Sequence, residues 1–257
     1  MVNALIGHTG FIGSHLLRQA SFGALYNSNN IESIRGQRFD LVVCAGAPAD
    51  KWRANQNPEA DKTNLEHLMD CLKDVSARRL ILISTIEVYP DPWKVDEESN
   101  VNSEKATPYG RHRWQLERFV AEHFDRCIVR LPELFGLGLK SNAIFDLIHR
   151  NQLQKLHADS QFQFYPINHL WDDLKKVITY SMKVINIATE PVTLSEVSSD
   201  VFRTPFENRP AVIPAYYDVQ SQYVQHWNGS NGYLYNKSAI FDELKAFVDA
   251  ERRAQKQ

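Results

Sequence analysis

Three glycines near the start of the chain have the spacing that a phosphate-binding turn requires. Gly7, Gly10 and Gly13 follow a short apolar segment, residues 2–6, and open an amphipathic segment, residues 13–20. Glycine permits a tight strand-to-helix turn, and the free N–H groups at the start of the helix attract phosphate. A purely structural turn is the alternative. The order of strand, glycines and helix favours a site for a dinucleotide pyrophosphate.

A second group of residues has the types needed for proton transfer at a carbonyl. Tyr109 and Arg113 are four residues apart in a segment that begins with the helix-start pair Thr107 and Pro108, so they share one helix face. Thr85 ends an apolar strand segment and offers a hydroxyl. A phenol beside a cation suits general acid–base catalysis. The alternative is that Tyr109 only packs against the core.

Other residues with reactive side chains give weaker predictions. Glu87 follows the same strand as Thr85 and is a candidate base, although a lone glutamate after a strand is more often solvated. His8 and His112 are interpreted as local hydrogen-bonding residues. The chain contains no CxxC or HExxH motif, so no metal site is predicted.

Apolar segments of two kinds alternate along the first 190 residues, and they must position these side chains. Period-two or continuous apolar runs predict strands at 2–6, 24–26, 41–47, 80–84, 127–131 and 184–188. Apolar residues at helical spacing predict helices at 13–20, 58–75, 108–124, 144–150, 171–182 and 241–253, with at most a short helix in 28–37. The alternation predicts an α/β fold with a mostly parallel sheet.

Beyond Pro132 the pattern loosens, which indicates a second, smaller region. We predict a dinucleotide-binding core at 1–135 and a region at 136–257 that is mostly a substrate lobe, from which about 164–190 returns to the core. An irregular aromatic stretch spans 202–235. Most of its aromatic residues are predicted to form the core of the lobe rather than line a pocket.

Several motifs resemble those of the extended short-chain dehydrogenases/reductases, the NAD-dependent epimerase/dehydratase superfamily. The GxxGxxG spacing of the first loop is typical of that family. Further similar segments are CAGA at 44–47, Asp50-Lys51 with Pro58, Ala60 and Asn64, Ser84-Thr85 with Val88-Tyr89, 107–111, 130–136, and 185–196. The 50–64 stretch is nearest in pattern to dTDP-4-dehydrorhamnose reductases. The resemblance implies a Rossmann-type, doubly wound parallel sheet with a small C-terminal substrate lobe.

The resemblance also implies roles for the reactive residues. Tyr109 would be the proton donor or acceptor, and Thr85 would hydrogen-bond the reacting oxygen. The residue at position 113, lysine in the family, would lower the tyrosine pKa and hold the nicotinamide ribose. Arg113 keeps the charge but cannot pass on a proton. At the place of Glu87, the sugar-nucleotide dehydratases carry a carboxylate base, but the dTDP-glucose type also has an aspartate where this chain has Ile86.

The cofactor is predicted to be NADP, slightly preferred, or NAD. Many NAD enzymes place a carboxylate after the second strand to hold the ribose 2′-OH. This chain has Asn27 and Ser28 there, with Arg35 nearby. The predicted cofactor contacts are Gly7, Thr9, Gly10, Phe11, Ile12, Gly13, Asn27, Ser28, Arg35, Cys44, Ala45, Gly46, Asn64, Tyr109, Arg113, Leu131 and Pro132.

Composition narrows the class of partner. The chain has 257 residues, 23% of them charged, and a net charge of -2, so nothing favours nucleic acid or an anionic membrane. No apolar run approaches the roughly 18 residues of a membrane span, and no signal-peptide pattern opens the chain. Cys44, Cys71 and Cys127 lie in apolar runs, which predicts buried reduced thiols and a cytoplasmic protein.

Three functions remain open from the sequence. The first is an NAD(P)-dependent oxidoreductase that reduces a keto group of a nucleotide-activated sugar, with Tyr109 as the general acid. The second is a non-catalytic NAD(P)-binding or regulatory protein, suggested by Arg113. The third is a sugar-nucleotide dehydratase or epimerase that uses Glu87. A homodimer is expected through the helices at 58–75 and 108–124, as in the family.

Overall fold

The chain forms two compact units, each assembled from more than one segment. A computed structural model describes residues 2–254. The larger unit contains the described residues up to Asp91, together with Ser99–Leu131 and Asn168–Asn186. The smaller unit contains Pro92–Glu98, Pro132–Ile167 and the described residues from Ile187 onward.

A six-stranded parallel sheet forms the centre of the larger unit. Numbered in chain order through both units, its strands are β1 (Val2–Ile6), β2 (Ala24–Tyr26), β3 (Arg38–Cys44), β4 (Ser76–Thr85), β6 (Arg126–Leu131) and β10 (Val184–Asn186). They are ordered β10-β6-β4-β3-β1-β2, and all pairs are parallel. After β1 the chain forms β2 on one side of β1 and then crosses over to form β3 on the other side. The topological switch point, where such sheets bind ligands, therefore lies at the carboxyl ends of β1 and β3.

Helices of the larger unit cover this sheet. They are α1 (Phe11–Gln19), α2 (Lys51–Gln56), α3 (Pro58–Lys73), α4 (Pro108–His123) and α6 (Leu170–Thr179). One face of the sheet, with residues such as Val42 and Leu80, packs against Leu65 and Leu72 of α3 and Val120 of α4, all of them buried. The predicted α/β fold with a Rossmann-type, doubly wound parallel sheet is confirmed.

The smaller unit is built from short strands and three helices. Its strands pair two by two and are β5 (Trp93–Val95) with β12 (Asp218–Val219), β7 (Glu133–Phe135) with β9 (Phe164–Pro166), and β8 (Gln161–Phe162) with β11 (Val192–Thr193). Its helices are α5 (Ala143–His149), α7 (Leu194–Val197) and α8 (Lys237–Ala254). Phe164, Phe202 and Leu244 belong to its buried core. That this unit is a substrate lobe stays a prediction.

The sequence-based boundaries differ from the structure in a few places. The strand predicted at 41–47 ends at Cys44, so 45–47 form a loop beyond the sheet edge. Helix α2 was not predicted because Ala54 is its one buried residue, which leaves no apolar period to detect. All three cysteines are free and buried, as predicted. Within 2–254, no helix has the length and apolar character that crossing a membrane requires.

Candidate functional site

The glycine loop lies at the switch point, between the end of β1 and the start of α1. Gly7 has a φ of +83°, and a Cβ there would lie 2.2 Å from the Ala45 carbonyl oxygen, beyond β3. A Cβ on Gly13 would lie 2.1 Å from the Gly7 oxygen. Both glycines are therefore required by backbone packing. At Gly10 the nearest atom to such a Cβ is 3.4 Å away, so the chain itself does not require glycine there.

The N-terminus of α1 is free to receive an anion. Gly10 is the N-cap, no side chain among the described residues caps the helix, and its first turn has no acidic residue. The N–H groups of Phe11, Ile12 and Gly13 belong to the first turn, where no carbonyl of the helix itself can accept from them. Thr9 and Gly10 are exposed. This arrangement matches the geometry by which helix N-termini bind phosphate.

A neutral polar turn follows β2 on the other side of this loop. The Asn27 side-chain oxygen accepts from the Asn29 N–H at 2.9 Å, and the Asn30 side-chain oxygen accepts from the Asn27 N–H at 2.7 Å. The Asn27 amide nitrogen lies 3.3 Å from His8 Nε2. Ser28 is exposed at the tip of the turn. His8 has the local hydrogen-bonding role predicted for it, and residues 27–30 contain no carboxylate.

Arg35 lies among carboxylates. Its guanidinium donates to Glu32 at 2.7 Å, to Asp70 at 2.7 Å and to Asp74 at 2.9 Å. Hydrogen bonds from Arg35 hold the pKa values of the Glu32 and Asp70 carboxyl groups below their ordinary range. A role for Arg35 at a ribose 2′-phosphate would require these pairs to break.

The end of β3 forms the second wall of the switch point. The Ala45 N–H donates to the Ile6 carbonyl at 2.9 Å, which ties the loop after β3 to β1. A Cβ on Gly46 would lie 2.9 Å from the Ile6 side chain. Burial raises the pKa of the Cys44 thiol to about 11, so this cysteine is not a nucleophile at neutral pH. Asn64, on α3, is exposed and lines a cavity of about 190 Å³ with Asp61, Asn57 and Pro48.

Tyr109 and Arg113 contact each other on α4, as their spacing predicts. Thr107 caps the helix by accepting from the Gly110 N–H at 3.3 Å, and Pro108 occupies the first turn. The Arg113 guanidinium carbon lies 3.9 Å from the centre of the Tyr109 ring. Tyr109 is 8% exposed and Arg113 2%. A cation over an aromatic face at this distance is attracted by the negative face of the ring.

Arg113 also forms a buried ion pair that the sequence analysis did not predict. Its Nη1 lies 2.5 Å from Asp61 Oδ2, and its Nη2 donates to the Pro48 carbonyl. His112 Nδ1 lies 2.8 Å from the same Asp61 oxygen, so His112 too has a local role. Among the described residues, none accepts a hydrogen bond from the buried Arg113 Nε. Asp61 thus neutralises the cation beside Tyr109. The sequence did contain a signal for this pair, because Asp61 is a charged residue at helical spacing from Leu65 and Leu68, on the apolar stripe of α3.

Thr85 and Glu87 lie beside the start of α4. Thr85 Oγ1 accepts from the Glu87 N–H at 3.2 Å and so caps the 3-10 turn Ile86–Val88. A Cβ on Gly110 would lie 2.0 Å from the Glu87 carbonyl oxygen, so α4 packs directly on this turn. Glu87 Oε1 lies 2.7 Å from Lys51 Nζ, and the Glu87 side chain is 16% exposed. Leu131 pairs with Thr85 across β6 and β4, and Pro132 follows it.

A buried polar network between α4 and the strands β4, β6 and β10 was also not predicted. Arg130 of β6 lies 2.6 Å from Glu117 of α4, and it donates to the Tyr89 hydroxyl at 2.6 Å. Ser84 donates to Glu117 at 2.6 Å, and Asn186 of β10 donates to Tyr89 at 3.1 Å. The network connects three neighbouring strands to α4 and fixes the segment after β4. A glutamate on the apolar stripe of α4 was its sequence signal.

Comparisons with known proteins identify the family and the fold. A sequence comparison with curated proteins gives no match. Two similar solved structures are dTDP-4-dehydrorhamnose reductases. One, from Clostridium acetobutylicum, has a TM-score of 0.71 and 18% identity, over 97% of this chain and 99% of that one. The other, from Bacillus anthracis in complex with NADP, has a TM-score of 0.74 and 16% identity, over 96% and 97%.

A third similar structure is a dTDP-glucose 4,6-dehydratase from Streptomyces venezuelae with NAD bound. It has a TM-score of 0.74 and 16% identity, over 98% of this chain and 97% of that one. At such identities these structures support the fold alone. The profile of the NAD dependent epimerase/dehydratase family matches residues 4–166, well over half of the chain. The chain therefore belongs to the NAD dependent epimerase/dehydratase family.

Proposed function

We propose that the protein binds NAD(P) at the glycine loop and reduces a keto group of a nucleotide-activated sugar, with Tyr109 as the general acid. The observation that carries the proposal is the open N-terminus of α1 at the switch point, together with a buried phenol of α4 stacked with a cation. The family membership supports an NAD(P)-dependent enzyme of this class, and two of the similar structures are reductases of a nucleotide-activated sugar.

The residues at the switch point fit a dinucleotide. Gly7 and Gly13 keep the turn tight, and the space at Gly10 leaves room for a pyrophosphate against the N–H groups of α1. Asn27 and Ser28 would contact the adenosine ribose, and residues 44–46 would flank the adenosine. Tyr109 and Arg113 would lie at the nicotinamide ribose. A bound nicotinamide would supply the hydride.

NADP is the preferred form in this proposal. The turn after β2 has no carboxylate to repel a 2′-phosphate, and its amide and hydroxyl groups, with His8 beside Asn27, can hydrogen-bond one. The support comes from this turn rather than from Arg35, which already has three carboxylate partners. Equal affinity for NAD and NADP would contradict the preference.

The chain's own residues define the acid step. Tyr109 would give its phenolic proton to the carbonyl oxygen as hydride arrives, and Thr85 would donate a hydrogen bond to the same oxygen. Arg113, stacked on the ring, would stabilise the phenolate that remains. Asp61 opposes this effect because its carboxylate offsets the arginine charge.

The ion pair between Arg113 and Asp61 favours one second candidate function, that of a non-catalytic NAD(P)-binding protein. In this function Arg113 would hold α3, α4 and the loop after β3 together without assisting Tyr109. A dehydratase or epimerase using Glu87 has less support, because the Glu87 carboxylate is held in an ion pair with Lys51.

The experiment that separates these functions is turnover of NADPH with nucleotide-4-keto sugars, followed by absorbance. Tyr109→Phe should lower turnover by a factor on the order of 10²–10⁴, the usual contribution of a positioned general acid. Tyr180→Phe, which changes a half-exposed tyrosine of the same unit, is the control and should leave turnover unchanged.

Two outcomes would contradict the reductase. One is a Tyr109→Phe variant as active as the parent. The other is a parent protein that binds NADPH but turns over no keto sugar, which would make the non-catalytic function the better one. Mass spectrometry of ligands that co-purify with the protein would identify the nucleotide and narrow the set of sugars to be screened.

A further inference from the structure

Three side chains of metal-ligand type meet at the edge of the larger unit, away from the glycine loop. Glu32 belongs to the 3-10 turn Ile31–Ile34 that follows β2, and His67 and Cys71 are one turn apart on α3. Glu32 Oε1 lies 3.3 Å from His67 Nε2, and Cys71 Sγ lies 4.0 Å from the same nitrogen. All three ligand atoms lie within 4.8 Å of one another.

These separations are close to those around a tetrahedral zinc ion. Bonds of the usual length to oxygen, nitrogen and sulfur place neighbouring ligand atoms about 3.3–3.7 Å apart. The Glu32–His67 distance already matches, and the Cys71–His67 distance exceeds the range by a few tenths of an ångström. We propose that Glu32, His67 and Cys71 form a binding site for a divalent cation of the zinc class, with the fourth position open to water.

The donor set decides which cation fits. A thiolate and an imidazole are soft or borderline ligands, which select zinc-class ions over Mg²⁺ and Ca²⁺, since those ions prefer oxygen. One carboxylate oxygen beside a sulfur and a nitrogen is too few for the hard ions. Zinc sites that keep a bound water have three protein ligands and an open fourth position, which is the arrangement proposed for this site.

Neighbouring charges support the site. Arg35 donates to Glu32 Oε2 and so leaves Oε1 facing His67, which is the orienting role that outer partners have around metal ligands. Arg35 and Lys73 bring two positive charges, and Asp70, Asp74 and Glu32 bring three negative ones. The surroundings are therefore not repulsive to a cation.

The exposure of the three side chains indicates the direction from which an ion would approach. The Cys71 side chain is fully buried, whereas the side chains of His67 and Glu32 are 50% and 60% exposed. An ion entering from solvent would reach the sulfur between the two exposed ligands. Once bound, it would link the turn after β2 to α3. The site goes beyond the proposed function and uses none of its residues apart from Arg35, whose cofactor role is already unsupported.

The test is metal binding by the chelator-treated full-length protein, measured by titration with Co²⁺ and Zn²⁺. We expect about one equivalent of Co²⁺ to give thiolate-to-cobalt charge-transfer absorption, Zn²⁺ to displace it, and Zn²⁺ to raise the Tm. His67→Gln and Cys71→Ser should each weaken binding by more than about tenfold, because losing a ligand costs at least as much as losing an outer partner.

Glu66→Gln is the matched control, because Glu66 precedes His67 on the exposed side of α3 and pairs only weakly, with Lys62 at 3.7 Å. It should keep the cobalt absorption, as should the solvent-exposed His123→Gln on α4. The proposal is overturned if the parent shows no thiolate-to-cobalt absorption, or if His67→Gln binds as tightly as the parent. Circular dichroism of each variant separates a lost ligand from a lost fold, and His67 is exposed enough for its variant to fold.

Discussion

At the residue scale, the three glycines of the first loop have different reasons for being glycine. Gly7 and Gly13 are required by the backbone itself, since a Cβ on either would overlap a carbonyl oxygen. Gly10 has ordinary space around it, so packing does not require glycine there, and in the proposed function the reason would be a ligand that approaches the backbone. The sequence motif predicted the loop but could not separate these reasons, because they depend on how closely β1, β3 and α1 approach one another.

This difference gives a matched pair of variants. Gly10→Ala should fold with nearly the parent Tm and lose NAD(P)H affinity, because its methyl group occupies the pyrophosphate position. Gly13→Ala should lower the Tm markedly, because a contact of 2.1 Å forces the loop to move. Thermal melting and a fluorescence titration with NADPH measure both effects. Unchanged NADPH affinity in a folded Gly10→Ala variant would remove the glycine loop as the cofactor site.

Asp61 is a buried residue whose ion pair the sequence analysis missed. It is 6% exposed and pairs with Arg113 and His112, and removing one member of a buried pair leaves an uncompensated charge. Asp61→Ala should therefore lower the free energy of unfolding by about 3–5 kcal/mol, as measured by urea titration. Glu122→Ala, which breaks the exposed Arg118–Glu122 pair on α4, should have little effect. Equal losses in the two variants would contradict the energetic role of Asp61.

At the scale of elements, long periodic segments were predictable and short ones were not. Helices α3 and α4 begin at Pro58 and Pro108, as the sequence indicated, because proline suits the first helical turn and their apolar stripes are long. The two-residue strands β8, β11 and β12 pair only through contacts distant in sequence. No local periodicity can reveal such pairs, which explains why the sequence predicts no strands at 161–162, 192–193 and 218–219.

An ion cluster joins three elements at the opposite end of the sheet from the candidate site. Asp125, before β6, accepts from Lys183, before β10, and lies 3.1 Å from Arg79 of β4. The hydrogen bond from Lys183, followed by that from Arg79, holds the pKa of the Asp125 carboxyl below its ordinary range. A carboxyl with a lowered folded pKa contributes stability above its ordinary pKa, and loses it as the pH falls through the folded value.

Asp125→Asn should therefore lower the Tm at neutral pH by a small amount. The difference from the parent should shrink as the pH falls below the ordinary carboxyl range and vanish below the folded pKa. Thermal melts from neutral to acidic pH measure this, and added salt should reduce the neutral-pH difference because the group is partly exposed. A difference that is independent of pH would show that the cluster contributes through packing rather than charge.

At the scale of the whole molecule, the sequence predicted a core at 1–135 and a smaller region from which about 164–190 returns to the core, but it did not predict that a segment between β4 and α4 belongs to the smaller unit. The segment Pro92–Glu98 belongs to the smaller unit although it lies between β4 and α4, because β5 pairs with β12 some 120 residues later. That the smaller unit binds the nucleotide sugar stays a prediction. Family membership shows the class of protein, and the reaction stays a proposal.

Assembly is the last property that the whole chain determines. We expect a homodimer formed by α3 and α4. These two helices pack side by side against the sheet. They carry the half-buried apolar residues Met69 and Phe119. In a two-fold symmetric interface both copies contribute the same surface. One substitution therefore changes the interface at two positions. Phe119→Arg should therefore shift sedimentation from dimer toward monomer at micromolar concentration.

Leu17→Arg is the control for that substitution, because Leu17 is an apolar residue exposed on α1, away from α3 and α4. It should leave the dimer intact, which would show that an added charge on any apolar surface residue is not sufficient. A parent protein that sediments only as monomer would contradict the interface outright. If both variants stayed dimeric while folded, the two copies would have to meet through another surface, since a buried arginine pair at the two-fold axis would repel.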